Sequence, residues 1–270
     1  MPAERIGALL TAVRERQPLV HNITNFVVMN NTANALLALG ASPAMVHALD
    51  EVEDFVSISQ ALVVNIGTLY SEQVAACKLA AVRAHAAGVP WILDPVGVGA
   101  TPYRRASASA LARLRPNVIR GNGSEILTLA QHAQTGQGRG VDSLHGSETA
   151  VEAARTLALD TGATVAITGA VDYVTDGKRL AEIHNGHPLM ARVTGLGCSA
   201  TAIIGAFLAV ERDAFAATVA GLAAFGVAGE IAAEWAAGPG SLQVALLDAL
   251  YALDEATLVA RARVAERGRV

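Results

Sequence analysis

Val193-Thr194-Gly195-Leu196-Gly197-Cys198-Ser199-Ala200-Thr201 joins two glycines, two apart, to an apolar run of small residues at 202–209 that predicts a helix. A helix opening at such a turn points its first N–H groups outward without partners. Together with the positive end of the helix dipole they make an anion site. Gly195 and Gly197 carry no Cβ to keep a ligand off the backbone. Cys198 projects into the same space, and the expected occupant is a phosphoryl group. Two other readings fit the same letters. Gly195 to Ala200 matches G-x-G-x-x-A, the dinucleotide fingerprint, which needs a strand before it, a helix after it and a further strand soon afterwards. Here the motif lies late and only helical sequence is expected beyond it. Alternatively, the glycines make a plain tight turn and Cys198 is a small buried apolar residue. A P-loop is ruled out, since no G-x-x-x-x-G-K-[ST] string occurs.

Upstream of this stretch, strands and helices alternate. Ile6, Leu9, Leu10 and Val13 share one face of a helix at 3–15. Asn22, Asn25, Asn30, Asn31 and Asn34 then crowd a segment whose second half, 28–39, should be helical, although asparagine is a poor helix-interior residue. Asn30 and Asn34 share a face. The asparagines are either caps and a polar helix face, or a lining for a small ligand or a subunit contact. Gly40 closes the helix. A short buried strand at 43–46 follows, and Asp50, Glu51, Glu53 and Asp54 open another helix. The next elements are a strand at 61–66, a helix from an N-cap at Ser71 to Ala87 closed by Gly88, and a strand at 90–93. A helix at 104–114, a strand at 117–120 and another helix come next. Residues 133–146, rich in Gly, Gln and His, predict a mobile surface loop or flap. A helix at 147–160, a strand at 163–168, a hairpin at 173–183 around Asp176-Gly177 and a strand at 189–193 lead to the glycine turn. Helices at 198–209, 213–236, 240–252 and 254–265 complete the chain.

This alternation predicts the α/β class: one domain over 1–270, three layers α/β/α, with a mostly parallel sheet covered on both faces. Ligands of such sheets bind outside the carboxyl ends of the strands. The turns there are Asn65-Ile66-Gly67, Asp94-Pro95-Val96, Arg120-Gly121-Asn122-Gly123-Ser124-Glu125 and Thr168-Gly169, and all should converge near Cys198. Asp94 and Glu125 alone would repel a phosphate; with Mg²⁺ between them they clamp one. Each also has a plainer reading, Asp94-Pro95 as a turn starter and Asn122-x-x-Glu125 as a capping box. The five-donor fork of Arg120 suits phosphate oxygens, though a strand-end arginine can also be a solvated charge. Thr168 either bonds a phosphate or just ends its strand.

Composition excludes other classes. A net charge of −4 gives no attraction to nucleic acid or to an anionic membrane. The histidines do not cluster at metal-ligand spacings, and Cys77 and Cys198 cannot make a disulfide framework, so a reduced, cytoplasmic setting is expected. Charges throughout residues 1–16 leave no apolar core for a signal peptide. The most apolar segment, 214–233, contains Glu230 and many small residues and is expected to be a buried helix. With 52% hydrophobic and 16% charged residues, the core is large and surface is available to bury in an oligomer.

Together the motifs resemble the ribokinase-like kinases and, more narrowly, the hydroxyethylthiazole kinases of thiamine salvage. The narrower resemblance rests on His21-Asn22-Ile23-Thr24-Asn25, on Pro43-Ala44-Met45 followed by Glu51-Val52-Glu53-Asp54, and on Asp94-Pro95-Val96-Gly97-Val98-Gly99-Ala100. It rests equally on Arg120-Gly121-Asn122, Ile167-Thr168-Gly169 with Val171-Asp172, and Thr194-Gly195-Leu196-Gly197-Cys198. The resemblance implies ATP-dependent, Mg²⁺-assisted phosphorylation of the hydroxyl of 4-methyl-5-(2-hydroxyethyl)thiazole. It also implies a homotrimer with substrate sites at subunit interfaces. By matched motif, Met45, Gly195 and Asn25 would contact the thiazole; Arg120, Thr168 and Gly197 the ATP; Asp94 and Glu125 the metal and phosphates. Cys198 stands where most ribokinase-like enzymes carry an aspartate base, a departure the thiazole kinases share. A helix N-terminus lowers a thiol pKa, while carboxylates and ATP oppose it, so Cys198 is expected to orient the hydroxyl and take its proton late. The rivals are another ribokinase-like small-alcohol kinase and a non-catalytic thiazole- or nucleotide-binding homologue.

Overall fold

Apolar runs bounded by glycine and polar turns build nine strands and eleven α-helices among the residues that the structure, a computed structural model, describes: 1–135 and 147–267. In chain order these are α1 (Ala3–Arg16), β1 (Leu19–Ile23), α2 (Met29–Leu39), β2 (Ser42–Ala44), α3 (Val52–Ile58), β3 (Ala61–Asn65), α4 (Ser71–Ala87), β4 (Trp91–Asp94), α5 (Pro102–Ala112), β5 (Val118–Asn122) and α6 (Gly123–Thr135). There follow α7 (Ser147–Thr161), β6 (Thr164–Thr168), β7 (Asp172–Thr175), β8 (Leu180–Ile183), a 3₁₀ turn (Pro188–Arg192), α8 (Leu196–Leu208), α9 (Ala214–Trp235), α10 (Pro239–Ala252), α11 (Glu255–Arg261) and β9 (Val264–Arg267). The strands join in one sheet of order β2-β1-β3-β4-β5-β6-β7-β8-β9. From β2 to β6 all neighbours are parallel; β7, β8 and β9 add on antiparallel.

Strands covered on both faces need to be apolar throughout, and every residue of β3 is buried. One apolar layer joins Ile6, Leu36, Ile203, Phe215, Leu250 and Leu258, drawn from α1, α2 and α8 to α11. The opposite layer joins Val56, Cys77, Leu111, Ile126 and Leu157, from α3 to α7. The fold is therefore the three-layer, mostly parallel arrangement read from the sequence. Helices α8 and α9 lie side by side on one face of the sheet, α8 over β1, β3 and β4 and α9 over β6, β7 and β8. A Cβ at Gly205 would stand 2.9 Å from Val63 Cγ2, and one at Gly221 would stand 2.9 Å from Ile204 Cα, so the missing side chains are what let these elements approach. Helix α9 is long and apolar enough to cross a membrane, but 83% of its most apolar window is buried inside the fold.

Several elements differ from expectation. β1 is a strand beside the sheet edge although His21 and Asn22 interrupt its apolar residues; both polar side chains are buried, so no alternation marks it. The edge strand β2 covers 42–44 and is half-buried, because only β1 flanks it. Ser71 is the first helical residue, and no side chain caps α4. Helix α5 starts earlier than 104, at Pro102, where Thr101 accepts from Arg104 N–H at 3.2 Å. The segment at 189–193 forms a 3₁₀ turn: Pro188 presets its φ and the His187 side chain caps it. Helix α8 begins at Leu196, so Gly197 and Cys198 are inside its first turn. The last helix stops at Arg261, and the short charged segment Val264–Arg267 becomes β9 by pairing with β8. Of the expected flap, residues 133–135 complete α6 and 136–146 lie outside the described residues.

Candidate active site

The carboxyl ends of β3, β4, β5 and β6 carry polar side chains where a strand end runs out of backbone partners. Asn65 and Asp94, the last residues of β3 and β4, face each other in register. Asp94 is fully buried, and its Oδ2 accepts from Asn65 Nδ2 at 2.9 Å and from Thr201 Oγ1, in α8, at 2.7 Å. Arg120 Nη1 lies 3.8 Å from the same oxygen. Asp94 Oδ1 is buried without a partner. Burial raises the Asp94 carboxyl to about 6, against the opposing pull of Arg120 and of the two hydrogen bonds. A group held so far from its usual range by burial beside a specific cation marks a functional candidate.

Arg120, in β5, donates from Nη2 to Thr168 Oγ1 at the end of β6, and its Nε is buried without a partner. A Cβ at Gly197 would come within 2.8 Å of Arg120 Nη1, so the guanidinium lies directly on the first turn of α8. Gly195 precedes that turn in the left-handed region (φ +81°), where a Cβ would also meet Val28 Cγ1 at 2.5 Å. Ser199 N–H makes the hydrogen bond to Gly195 C=O at 2.9 Å. The N–H groups of Leu196, Gly197 and Cys198 lie ahead of it at the helix head, beside the arginine.

On the other side of Asp94, Asn25 Nδ2 donates to Asn65 Oδ1 at 2.8 Å and approaches Cys198 Sγ at 3.5 Å. The Cys198 thiol is pushed up to about 11, first by burial and then by the charge of Asp94. A thiol raised so far is neutral at physiological pH. A neutral thiol at this position can orient a hydroxyl.

Glu125 forms the capping box: its Oε2 accepts from Asn122 N–H at 2.8 Å, and Asn122 Oδ1 accepts from Glu125 N–H at 3.0 Å. Its Oε1 accepts from Gly97 N–H at 2.9 Å, which ties the turn after β5 to the turn after β4. No group of three His, Cys, Asp or Glu among the described residues could hold a metal by itself. The unpartnered Oδ1 of Asp94, with the Glu125 charge nearby, fits a cation held mainly by phosphate oxygens and water, which is how Mg²⁺ usually binds.

The sheet thus brings together Asn25, Asp94, Arg120, Glu125, Thr168, Gly195, Gly197 and Cys198. Met45 follows the edge strand β2 at the same end of the sheet, beside β1, where Val46 C=O accepts from His21 Nε2 at 2.9 Å. Sequence reasoning passed over three contributors. Asn65 and Thr201 stand within the stretches singled out but carry no motif of their own. Arg104 reaches from α5 to the Ile66, Val96 and Gly67 carbonyls at 2.7–2.9 Å and pins two strand-end turns; nothing local marks it. Beside Arg120 and Gly197 opens a largely apolar cavity of about 590 Å³, lined also by Thr168, Asp172, His187 and Phe225.

A buried aspartate, an arginine and a free helix head at the strand ends of a three-layer sheet define a ribokinase-like kinase. The same fold recurs in a Staphylococcus aureus pyridoxal kinase solved with AMP-PCP and pyridoxal (TM-score 0.62, 18% identity, 79% of this chain and 88% of that one). The sequence model of the hydroxyethylthiazole kinase family matches residues 10–256. The hydroxyethylthiazole kinase of Granulibacter bethesdensis is 60% identical over 96% of this chain and 94% of its own length, and that of Syntrophus aciditrophicus is 52% identical over 97% of each. A solved hydroxyethylthiazole kinase from Pyrococcus horikoshii superposes with a TM-score of 0.91 at 45% identity, over 97% of this chain and 98% of that one. The chain belongs to the hydroxyethylthiazole kinase family.

Proposed function

We propose that this chain, as one catalytic domain, transfers the γ-phosphoryl group of ATP to the hydroxyl of 4-methyl-5-(2-hydroxyethyl)thiazole, the alcohol recovered in thiamine salvage. The observation that carries the reading is the meeting of Asp94, Arg120 and the head of α8 with Asn25 and Cys198. Anion-binding and alcohol-orienting groups adjoin there. The N–H groups of Leu196 to Cys198 and the fork of Arg120 would hold the terminal phosphates, with Thr168 steadying the guanidinium. The cavity beside Arg120 has the size and apolar lining to take the nucleoside. Asn25, Gly195 and Met45 would bound the thiazole, and the thiol of Cys198 would orient its hydroxyl.

Phosphoryl transfer has a loose transition state, so catalysis is mainly positioning and charge stabilisation. The hydroxyl keeps its proton until the phosphoryl group has nearly arrived; the proton then passes to an oxygen of the transferred group and on to water, leaving ADP and the phosphate ester, so a neutral thiol beside it is no handicap. Asp94, and Glu125 through water, would hold Mg²⁺, which when bound neutralises phosphate charge. Exposed Leu37, Trp235, Val244 and Tyr251, and a half-buried edge strand leading to Met45, support association with further copies of this chain, and the family resemblance makes that a homotrimer with substrate sites at its interfaces. Two free cysteines suit a cytoplasmic setting. The test is ADP release with and without the thiazole alcohol, repeated with Mg²⁺ chelated. Release should require both, and release that ignores the alcohol, or prefers pyridoxal or a sugar, overturns the reading.

A further inference from the structure

Asn65 has no role in the motifs, yet its side chain makes three hydrogen bonds within the site. It is 1% exposed. Its Oδ1 accepts twice, from Gly67 N–H at 2.9 Å and from Asn25 Nδ2 at 2.8 Å. Its Nδ2 donates to Asp94 Oδ2 at 2.9 Å. The orientation of this amide is not a free choice. A backbone N–H can only donate, so Gly67 fixes the oxygen; a carboxylate oxygen already taking the Thr201 hydroxyl demands a donor, so Asp94 fixes the nitrogen. The amide of Asn25 must then turn its nitrogen toward Asn65 and Cys198. Its own Oδ1 takes no hydrogen bond from the described residues and is not enclosed. Asn25 therefore keeps an acceptor available while its amide nitrogen lies beside Cys198, and an acceptor suits the O–H of an alcohol.

We propose that Asn65 is a positioning residue for phosphoryl transfer: its carboxamide sets which way round Asn25 offers its amide to the substrate hydroxyl and holds one oxygen of Asp94 at the phosphoryl side. A carboxamide is required because one end must accept and the other donate. Leucine or aspartate matches the shape but not both polarities. Burial allows no water to substitute for a lost partner.

The inference rests on the proposed kinase activity, and the experiment separates the two. Steady-state kcat and the KM for each substrate are measured for the unsubstituted protein, Asn65→Ala, Asn65→Asp, Asn25→Ala and the double alanine variant, with melting curves as a check of folding. Asn65→Ala should lose about 100-fold in kcat/KM for the alcohol, shared between kcat and KM; in the Asn25→Ala background the same change should lose less than about tenfold, because both act through one network. Asn65→Asp keeps the acceptor for Gly67 and Asn25 but repels Asp94. Its alcohol KM should stay within about threefold of the parent while kcat falls at least tenfold. Losses that multiply across the two sites, or an Asn65→Asp variant whose alcohol KM rises as far as that of Asn65→Ala, overturn the inference while the kinase reading stands. If Asn65→Ala does not fold, the KM of Asn65→Asp decides alone. An unsubstituted protein that releases no ADP overturns both.

Discussion

The two ends of the parallel strands are built from similar residues put to opposite use. At the amino ends, amide side chains serve the backbone: Gln60 Oε1 accepts from Leu19 N–H at 2.8 Å, and Asn117 Oδ1 accepts from Trp91 N–H at 3.0 Å. At the carboxyl ends, Asn25, Asn65, Asp94, Thr201 and Arg120 bond mainly to one another, and atoms of Asp94 and Arg120 are left buried without partners. The larger cavity, about 850 Å³, lies at the amino ends beside Gln60, Trp91 and Asn117, and the one of about 590 Å³ at the carboxyl ends. Size therefore points the wrong way. Unmet buried atoms do not separate the ends either, since Trp91 Nε1 at the amino end of β4 also lacks a partner; what distinguishes the site is a cluster of charged and polar side chains that bond mainly to one another rather than to backbone.

This contrast can be broken by substitution at either end. The largest effect is expected for Asp94→Asn: kcat should fall about 1,000-fold, while stability at neutral pH should not fall by more than about 1 kcal/mol. A carboxyl raised from 3.8 to about 6 binds its proton more tightly folded than unfolded, so its contribution to stability declines as pH rises from 4 to 6. Chemical denaturation should show a flatter pH dependence in the variant. The same pKa places the acid limb of the parent's activity near pH 6. An unchanged limb in an active variant would remove Asp94 from the site.

Gly197→Ala should follow, with about 100-fold lost in kcat/KM for the nucleotide, because the new Cβ would stand 2.8 Å from Arg120 Nη1 and move the guanidinium. At the other end, Asn117→Ala should destabilise by about 1–2 kcal/mol with kcat unchanged, since it leaves Trp91 N–H unmet but touches no ligand. A drop in kcat there would erase the distinction between the ends. Cys198→Ala should have the smallest effect, less than about tenfold in kcat, as expected of a neutral thiol that orients but carries no charge. Complete loss in Cys198→Ser with normal folding would instead indicate covalent chemistry.

The legibility of the chain follows the range of the forces involved. Strands β3, β4, β5 and β6 and most helices were readable because each carries its own apolar run and its own stop signal, such as Gly40 or Gly88 in the left-handed conformation. β1, β9 and the 3₁₀ turn were not, because neighbours rather than local pattern decide them. Glu125 shows how two readings of one residue can both hold, as capping box and as a bond to Gly97. Arg104 was invisible because its three acceptors are carbonyls about 40 and 8 residues away in the chain, brought together only by folding.

The amino-acid sequence alone determined the layer order, the glycine-led head of α8 and the set of strand-end turns that meet there, because hydrophobic period, turn chemistry and the missing Cβ atoms act within a few residues. Only the tertiary structure decided the upward pKa shifts of Cys198 and Asp94, the direction of each amide in the chain from Asn25 to Asp94, and which cavity adjoins them. Those depend on burial and on donors from distant strands, and a carboxamide cannot know which way to face until both of its neighbours are in place.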